Sequence, residues 1–99
     1  MDKEFSYLWR EVSNDNWWRI QTSDPSLKKK LRRRENTRLV VHCHNHPMVV
    51  YRIQYYSPQK AKQSFMRLTA QKVKKDAENE LFYAEMIPIL TPNNISEVV

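Results

Sequence analysis

The residues best suited to chemistry in this sequence are the cations between positions 28 and 75. This stretch holds 14 Lys and Arg residues and a single acid, Glu35, so its formal charge is +13. It begins with Lys28-Lys29-Lys30-Leu31-Arg32-Arg33-Arg34, in which six of seven side chains are cationic. On a helix, cations at i and i+4 repel each other at a cost of roughly 0.2–0.5 kcal/mol per pair. Bound anions would relieve this repulsion, so the stretch predicts a surface that attracts polyanions.

The expected polyanion is DNA or RNA, bound through its phosphate backbone. Lys60, Arg67 and Lys74 recur at i, i+7 and i+14 and would place further cations on one stripe of a second helix. Trp17 and Tyr56 are the aromatic candidates for contact with bases. The predicted nucleic-acid-binding residues are Lys28, Lys29, Lys30, Arg32, Arg33, Arg34, Lys60, Arg67, Lys74, Trp17 and Tyr56.

A histidine cluster at positions 42–46 has the spacing of metal ligands. On a strand, His42 and His44 point to the same face, and an H-x-H pair can bind zinc. However, Cys43 would point to the opposite face, and no carboxylate lies nearby in the sequence. We therefore predict no metal and no cofactor, and we place His46 with the other two at the tip of a hairpin.

Catalysis is not expected from these residues. The acids cluster near the chain ends, and no pair has an evident metal-ligand spacing on a predicted strand. The thiol of Cys43 should face the core rather than a base. Glycine is absent, which excludes the glycine-rich loops that hold phosphates. Left-handed turn positions would then have to be Asn or Asp.

The hydrophobic spacing predicts the elements that must position these residues. Phe5, Leu8, Trp9 and Val12 recur at i, i+3, i+4 and i+7, which indicates an N-terminal helix. Two further helices are predicted where a capping residue precedes a proline, at Pro25 and Pro58. The predicted elements are helices over 2–13, about 24–35 and about 58–77, and strands over 17–22, 38–44, 48–56 and 81–90.

Apart from the first helix, the predicted order is β-α-β-β-α-β. It indicates an α+β fold, a ferredoxin-like antiparallel sheet with two helices on one face, preceded by a short N-terminal helix. The order is similar to that of RNA-recognition domains, which stack bases on aromatic residues of the first and third strands. This resemblance covers topology only, because that family's third-strand motif contains glycine. No internal repeat is apparent. We expect one domain over 1–90, with its N-terminal helix over 1–14, and a flexible C-terminal tail over 91–99.

Composition predicts a small cytoplasmic protein without a membrane anchor. The chain has 99 residues, 40% of them hydrophobic, and no apolar run near the roughly 20 residues that span a bilayer. Its only cysteine excludes an internal disulfide. The alternative function is a protein-interaction module, such as a small phage or mobile-element inhibitor or adaptor that docks on an acidic or nucleic-acid-binding protein surface. An exposed apolar patch of Phe5, Trp9 and Trp17 would favour it. The first helix could also form a homodimer.

Overall fold

The computed structural model describes residues 4–12 and 15–86 and contains one sheet and two helices. All strand pairs in the six-stranded sheet are antiparallel, and the strand order is β3-β4-β2-β1-β6-β5. Within the described residues, no helix is long and apolar enough to cross a membrane. The elements are β1 (Phe5–Arg10), β2 (Trp17–Thr22), α1 (Pro25–Arg33), β3 (Thr37–His42), β4 (Val49–Gln54), α2 (Pro58–Thr69), β5 (Lys74–Asp76) and β6 (Leu81–Glu85).

The ferredoxin-like prediction is wrong, because the element order is β-β-α-β-β-α-β-β. The first error is the N-terminal helix, which is strand β1 in the structure. Its residues alternate between the two faces of the sheet: Ser6 and Leu8 are buried against the helices, while Phe5, Tyr7 and Trp9 lie on the other face. Because both faces of β1 carry apolar side chains, apolar and polar residues do not alternate along the segment. The spacing of its apolar residues then also fits a helix.

The second error is the length of α2. The helix ends at Thr69 because Ala70 adopts a left-handed conformation, with φ of 54°. Lys74 to Asp76 then form β5, which pairs with β6 in a hairpin. Ala61, Phe65 and Leu68 form the buried face of the helix. Part of the predicted last strand and the predicted tail over 91–99 lie outside the described residues.

The helix starts agree with the capping pattern in the sequence. The Asp24 carboxylate accepts a hydrogen bond from the Ser26 N–H, and the Ser57 hydroxyl accepts one from the Lys60 N–H. In both helices a proline occupies the first turn, where no backbone donor is needed.

Both helices cover the same face of the sheet and form one core with it. Leu27 and Leu31 of α1 and Phe65 of α2 are fully buried against the sheet, together with Ile20 and Ile53. Trp18 also lies in this core, and the guanidinium of Arg10 stacks over its ring at 4.9 Å from the ring centre. The opposite face of the sheet carries no helix within the described residues.

The first four strands and the helices form two related β-β-α units, a repeat that was not recognised in the sequence. Arg19-Ile20-Gln21 recurs as Arg52-Ile53-Gln54, and Pro25 recurs as Pro58, each 33 positions later. Arg19 and Arg52 pair directly across β2 and β4, so the two units meet about a local two-fold axis at this point. By the same relation, β3 of the second unit corresponds to β1 of the first.

Strand β3 differs from its predicted form. Cys43 was expected to face the core by regular alternation along the strand, but the register shifts between Leu39 and Val41. Leu39 pairs with Tyr51 of the core face, whereas Val41 pairs with Val50 of the opposite face. This bulge breaks the alternation that the prediction assumed, and Cys43 is a half-buried free thiol.

Candidate functional site

A cleft of about 400 Å³ lies between α1 and α2. Lys30 and Arg34 contribute to it from the end of α1, and Lys60 and Arg67 contribute from α2. Among the residues that the structure describes, no acidic side chain lines it. The remaining lining residues are Tyr55, Gln63, Ser64 and Leu68.

Helical spacing brings these side chains to the cleft. Lys30 and Arg34 are four residues apart, while Lys60, Ser64 and Arg67 follow the spacing i, i+4 and i+7, which places each set on one side of its helix. In each helix the opposite side is anchored in the core. Each set of polar side chains is therefore held on the side of its helix that faces the cleft.

Two of the cations are fixed by hydrogen bonds across the cleft. Lys30 Nζ donates to the backbone oxygen of Leu68 at 3.0 Å, so a positive charge lies at the C-terminal end of α2. This placement complements the helix dipole. Arg34 Nη1 donates to the Ser64 hydroxyl at 3.5 Å. Both bonds join the C-terminal end of α1 to α2.

Tyr55 lies beside these groups. Its hydroxyl is 2.6 Å from the hydroxyl of Ser64. Burial raises the pKa of Tyr55, although the Ser64 hydrogen bond and the Arg34 charge act in the opposite direction. Tyr55 is therefore neutral at physiological pH, and the cleft contains hydroxyl and amide groups alongside its cations.

The other two cations, Lys60 and Arg67, are exposed to solvent. Within the described residues, no ion pair joins a Lys or Arg of either helix to an acidic side chain. Their positive charge is therefore uncompensated by carboxylates from this part of the chain. An anion in the cleft could interact with both.

The structure brings together only part of the predicted binding set. Four of the predicted residues, Lys30, Arg34, Lys60 and Arg67, line the cleft. Lys28 Nζ instead donates to the backbone oxygen of Pro47 at 2.8 Å. The remaining α1 cations lie outside the lining and are exposed to solvent; they are Lys29, Arg32 and Arg33.

Three other predicted residues lie apart from the cleft. Lys74 belongs to β5 rather than to α2 and pairs with Tyr83, so the prediction that it lies on the cationic stripe of the second helix is wrong. Trp17 lies on the sheet face opposite to the helices, with the Arg52 guanidinium 4.0 Å from its ring centre. Tyr56 is 68% exposed just before α2.

The neutral groups of the cleft were not predicted from the sequence. Ser64 shares a helical stripe with Lys60 and Arg67, so its spacing could have revealed it. Tyr55 could not have been found this way, because it precedes the helix and only the folded chain brings its hydroxyl to that of Ser64.

A second surface lies on the helix-free face of the sheet. Its central strands carry half-buried aromatic side chains, and Arg19, Arg52 and Arg38 occupy opposed positions on β2, β4 and β3. The carboxylate of Glu11 binds the first two of these arginines. The aromatic residues of this face are Phe5, Tyr7, Trp9, Trp17 and Tyr83.

The histidines at the hairpin tip take part in a ring contact and a hydrogen bond. The rings of His42 and His44 meet edge to face at 5.8 Å, and His46 Nδ1 accepts a hydrogen bond from the Met48 N–H at 3.1 Å. No group of three or more potential metal ligands occurs among the residues that the structure describes.

Comparison of the chain with protein-family models, with curated proteins and with solved structures found no match. The function must therefore be inferred from the cleft and the sheet face themselves.

Proposed function

We propose that the protein binds nucleic acid through phosphate groups that enter the cleft between α1 and α2. The observation that carries the proposal is the convergence of Lys30, Arg34, Lys60 and Arg67 from two helices on a cleft that no acidic residue of 4–12 or 15–86 lines. A short helix with adjacent cations is strained by their mutual repulsion, and bound phosphates would relieve it.

The donor set suits phosphate. Guanidinium groups present paired N–H donors that match phosphate oxygens, while ammonium groups act as mobile point charges. Ser64 and Gln63 add neutral donors, as in many contacts to the nucleic-acid backbone. None of these groups reads a base edge, so the cleft supports backbone binding without sequence preference.

A titration against fluorescent single- and double-stranded DNA and RNA, at about 50 and 200 mM salt, tests the proposal. Four phosphate contacts to a duplex would lower the affinity about a hundredfold over this range. Arg67→Glu should weaken binding at low salt by about tenfold or more. The slope of log affinity against log salt should become shallower by about one, the amount expected for one lost phosphate contact.

Lys74→Glu is the matched control, because it makes the same change in net charge outside the cleft. It should retain most of the affinity. Absence of binding to all four nucleic acids would refute the proposed function. Equal losses in Arg67→Glu and Lys74→Glu would show that general electrostatic attraction, and not the cleft, is responsible.

A second candidate function is protein binding through the helix-free face of the sheet. The half-buried aromatic side chains there favour it, because aromatic residues are enriched in protein interfaces. This face and the cleft lie on opposite sides of the sheet. A partner protein should therefore lose affinity for a Trp9→Ala variant and keep it for Arg67→Glu.

A further inference from the structure

A second cavity, of about 330 Å³, lies between the start of α2 and the hairpin formed by β5 and β6. Arg10 of β1 and Trp18 of β2 belong to its lining. Within the described residues, these two contain the buried side-chain nitrogens that have no hydrogen-bond partner, Arg10 Nε and Trp18 Nε1. The cavity shares no lining residue with the cleft between α1 and α2, so it is a separate site.

The indole N–H of Trp18 is a donor that lacks an acceptor. Burial of such a donor is unfavourable, because its hydrogen bond to water is lost and not replaced. Trp18 is only 3% exposed, and its ring packs against the rings of Tyr55 and Phe82, at 6.4 and 6.3 Å between ring centres. Since this packing holds the indole ring in place, an acceptor has to come to the N–H.

Arg10 is the group through which a ligand can reach this donor. Its guanidinium carbon lies 4.9 Å from the centre of the Trp18 ring. No ion pair joins Arg10 to an acidic side chain of residues 4–12 or 15–86, so its charge is available to an anion. Because the guanidinium covers the indole ring, an anion that binds it and draws it aside also gains access to the Trp18 N–H.

The charges and walls of the cavity define the class of ligand. Arg10 and Lys75 are cationic, and Glu80 is the one acid that the described residues contribute, which leaves one excess positive charge. Pro58 is the first residue of α2, so the positive end of this helix dipole also favours an anion here. The ring of Phe82 adds a flat apolar wall. These features suit an anion with a single charge and a flat apolar body.

We propose that this cavity binds a small aromatic carboxylate. The carboxylate accepts hydrogen bonds from the Arg10 guanidinium and from the Trp18 indole N–H, while the ring of the ligand packs against Phe82. A phosphate monoester carries nearly two negative charges. It suits the cavity less well, because Glu80 repels it and the lining has only one excess positive charge.

Titration of the isotope-labelled chain with benzoate and with indole-3-acetate, followed by heteronuclear NMR, tests the proposal. The indole N–H signal of Trp18, identified by its loss in Trp18→Phe, should move with at least one of the two acids. The dissociation constant should be about 1 mM or lower, as expected for a ligand of this size. Benzamide has the same ring as benzoate but no charge, and it should bind about tenfold more weakly or worse.

Two variants test the two donors, with the backbone signals of Ala77 and Phe82 as the measure of binding. Arg10→Met should lower the affinity for the acid by about tenfold or more, because the charged donor is lost. Trp18→Phe keeps an aromatic ring but removes the indole N–H, and it should lower the affinity by about tenfold. Arg33→Met removes the same charge at an exposed position of α1. It is the control and should bind like the wild type.

A Trp18 indole signal that neither acid moves at about 10 mM would overturn the proposal. So would equal binding of benzamide and benzoate, or full affinity in Arg10→Met. The test is independent of nucleic-acid binding, because Arg67 lines the cleft and not this cavity. Arg67→Glu should therefore bind the acid like the wild type, whether or not the chain binds nucleic acid.

Discussion

Glu11 holds together the point at which the two β-β-α units meet. Arg19 and Arg52 face each other across β2 and β4, and like charges at such opposed positions are destabilising. The Glu11 carboxylate lies between them, with Oε1 at 2.6 Å from Arg52 Nε and 3.1 Å from Arg19 Nε. The hydrogen bond from Arg52, followed by that from Arg19, outweighs partial burial and lowers the pKa of Glu11 below 4.5.

Glu11→Gln should therefore reduce the free energy of unfolding at pH 7 by about 1 kcal/mol, since a charge-assisted hydrogen-bond network loses its anion. A lowered carboxyl pKa contributes stability above the unfolded value of about 4.5, and this contribution disappears as the pH falls through the lower folded value. Urea unfolding at pH 7 and at about pH 3 should show a difference between variant and wild type that shrinks with acidity.

Glu78→Gln serves as the control for this experiment, because Glu78 is exposed in the turn between β5 and β6. It should unfold like the wild type at both pH values. If Glu11→Gln is as stable as the wild type at pH 7, the carboxylate does not offset the repulsion between the two arginines.

The chemistry of single residues was the part of the site that the sequence predicted best. Cap and proline pairs located both helix starts, and the predicted cation set includes Lys30, Arg34, Lys60 and Arg67, which line the cleft. The prediction for Lys74 was wrong, because its spacing fits the cationic stripe only if α2 continues beyond Ala70. Nothing in the cation pattern indicates where a helix ends.

The wrongly predicted elements share one physical cause. The local spacing of apolar residues favours a helix, but pairing with neighbouring strands of the sheet decides the conformation. β1 contains apolar residues at helical spacing, but aromatic residues at 5, 7 and 9 pack on one face of the sheet while Leu8 packs on the other. The alternation becomes visible only when β2 and β6 are placed beside β1. Long-range pairing therefore decides the conformation of this segment.

The end of α2 depends on a backbone conformation that is unusual for its residue. Asn or Asp was expected wherever the chain turns left-handed, but among the described residues Ala70 and Glu80 take this conformation, each with φ of 54°. The expectation was wrong. A β-carbon costs free energy in this region, and glycine does not carry that cost.

Ala70→Gly should raise the free energy of unfolding by about 0.5–1 kcal/mol, because the left-handed strain exceeds the extra entropy that glycine gives the unfolded chain. Urea denaturation of the variant and the wild type measures this difference. Ala61→Gly, in the interior of the same helix, is the control and should be destabilised by about 1 kcal/mol or more. Destabilisation of Ala70→Gly would show that α2 ends without this strain.

The arrangement of the whole molecule follows from the repeated unit. Because the local two-fold axis between Arg19 and Arg52 is perpendicular to the sheet, α1 and α2 lie on the same face. The cation-rich helices are thereby concentrated on one side of the sheet, and the half-buried aromatic side chains of its central strands β1 and β2 are on the other. The sequence predicted the segregation of charge along the chain, but the separation of Trp17 from the basic helices required the strand register.

This concentration of charge should make the stability of the protein depend on its ionic surroundings. With +13 formal charge in the segment that forms both helices, mutual repulsion opposes folding at low salt. The melting temperature should therefore rise between about 20 and 200 mM NaCl, as the Debye length falls below about 10 Å. A melting temperature that falls with salt would mean that attractive ion pairs dominate the electrostatics of the fold.

A small polyanion separates general screening from occupation of the cleft. Inorganic tripolyphosphate at about 1 mM adds little ionic strength, yet it should raise the melting temperature at about 200 mM NaCl if it binds the folded protein. The increase should be largely lost in Arg67→Glu and kept in Lys74→Glu, because only the first residue lines the cleft. Equal increases in both variants would place the binding of small phosphates elsewhere on the basic surface and limit the cleft to longer nucleic-acid backbones.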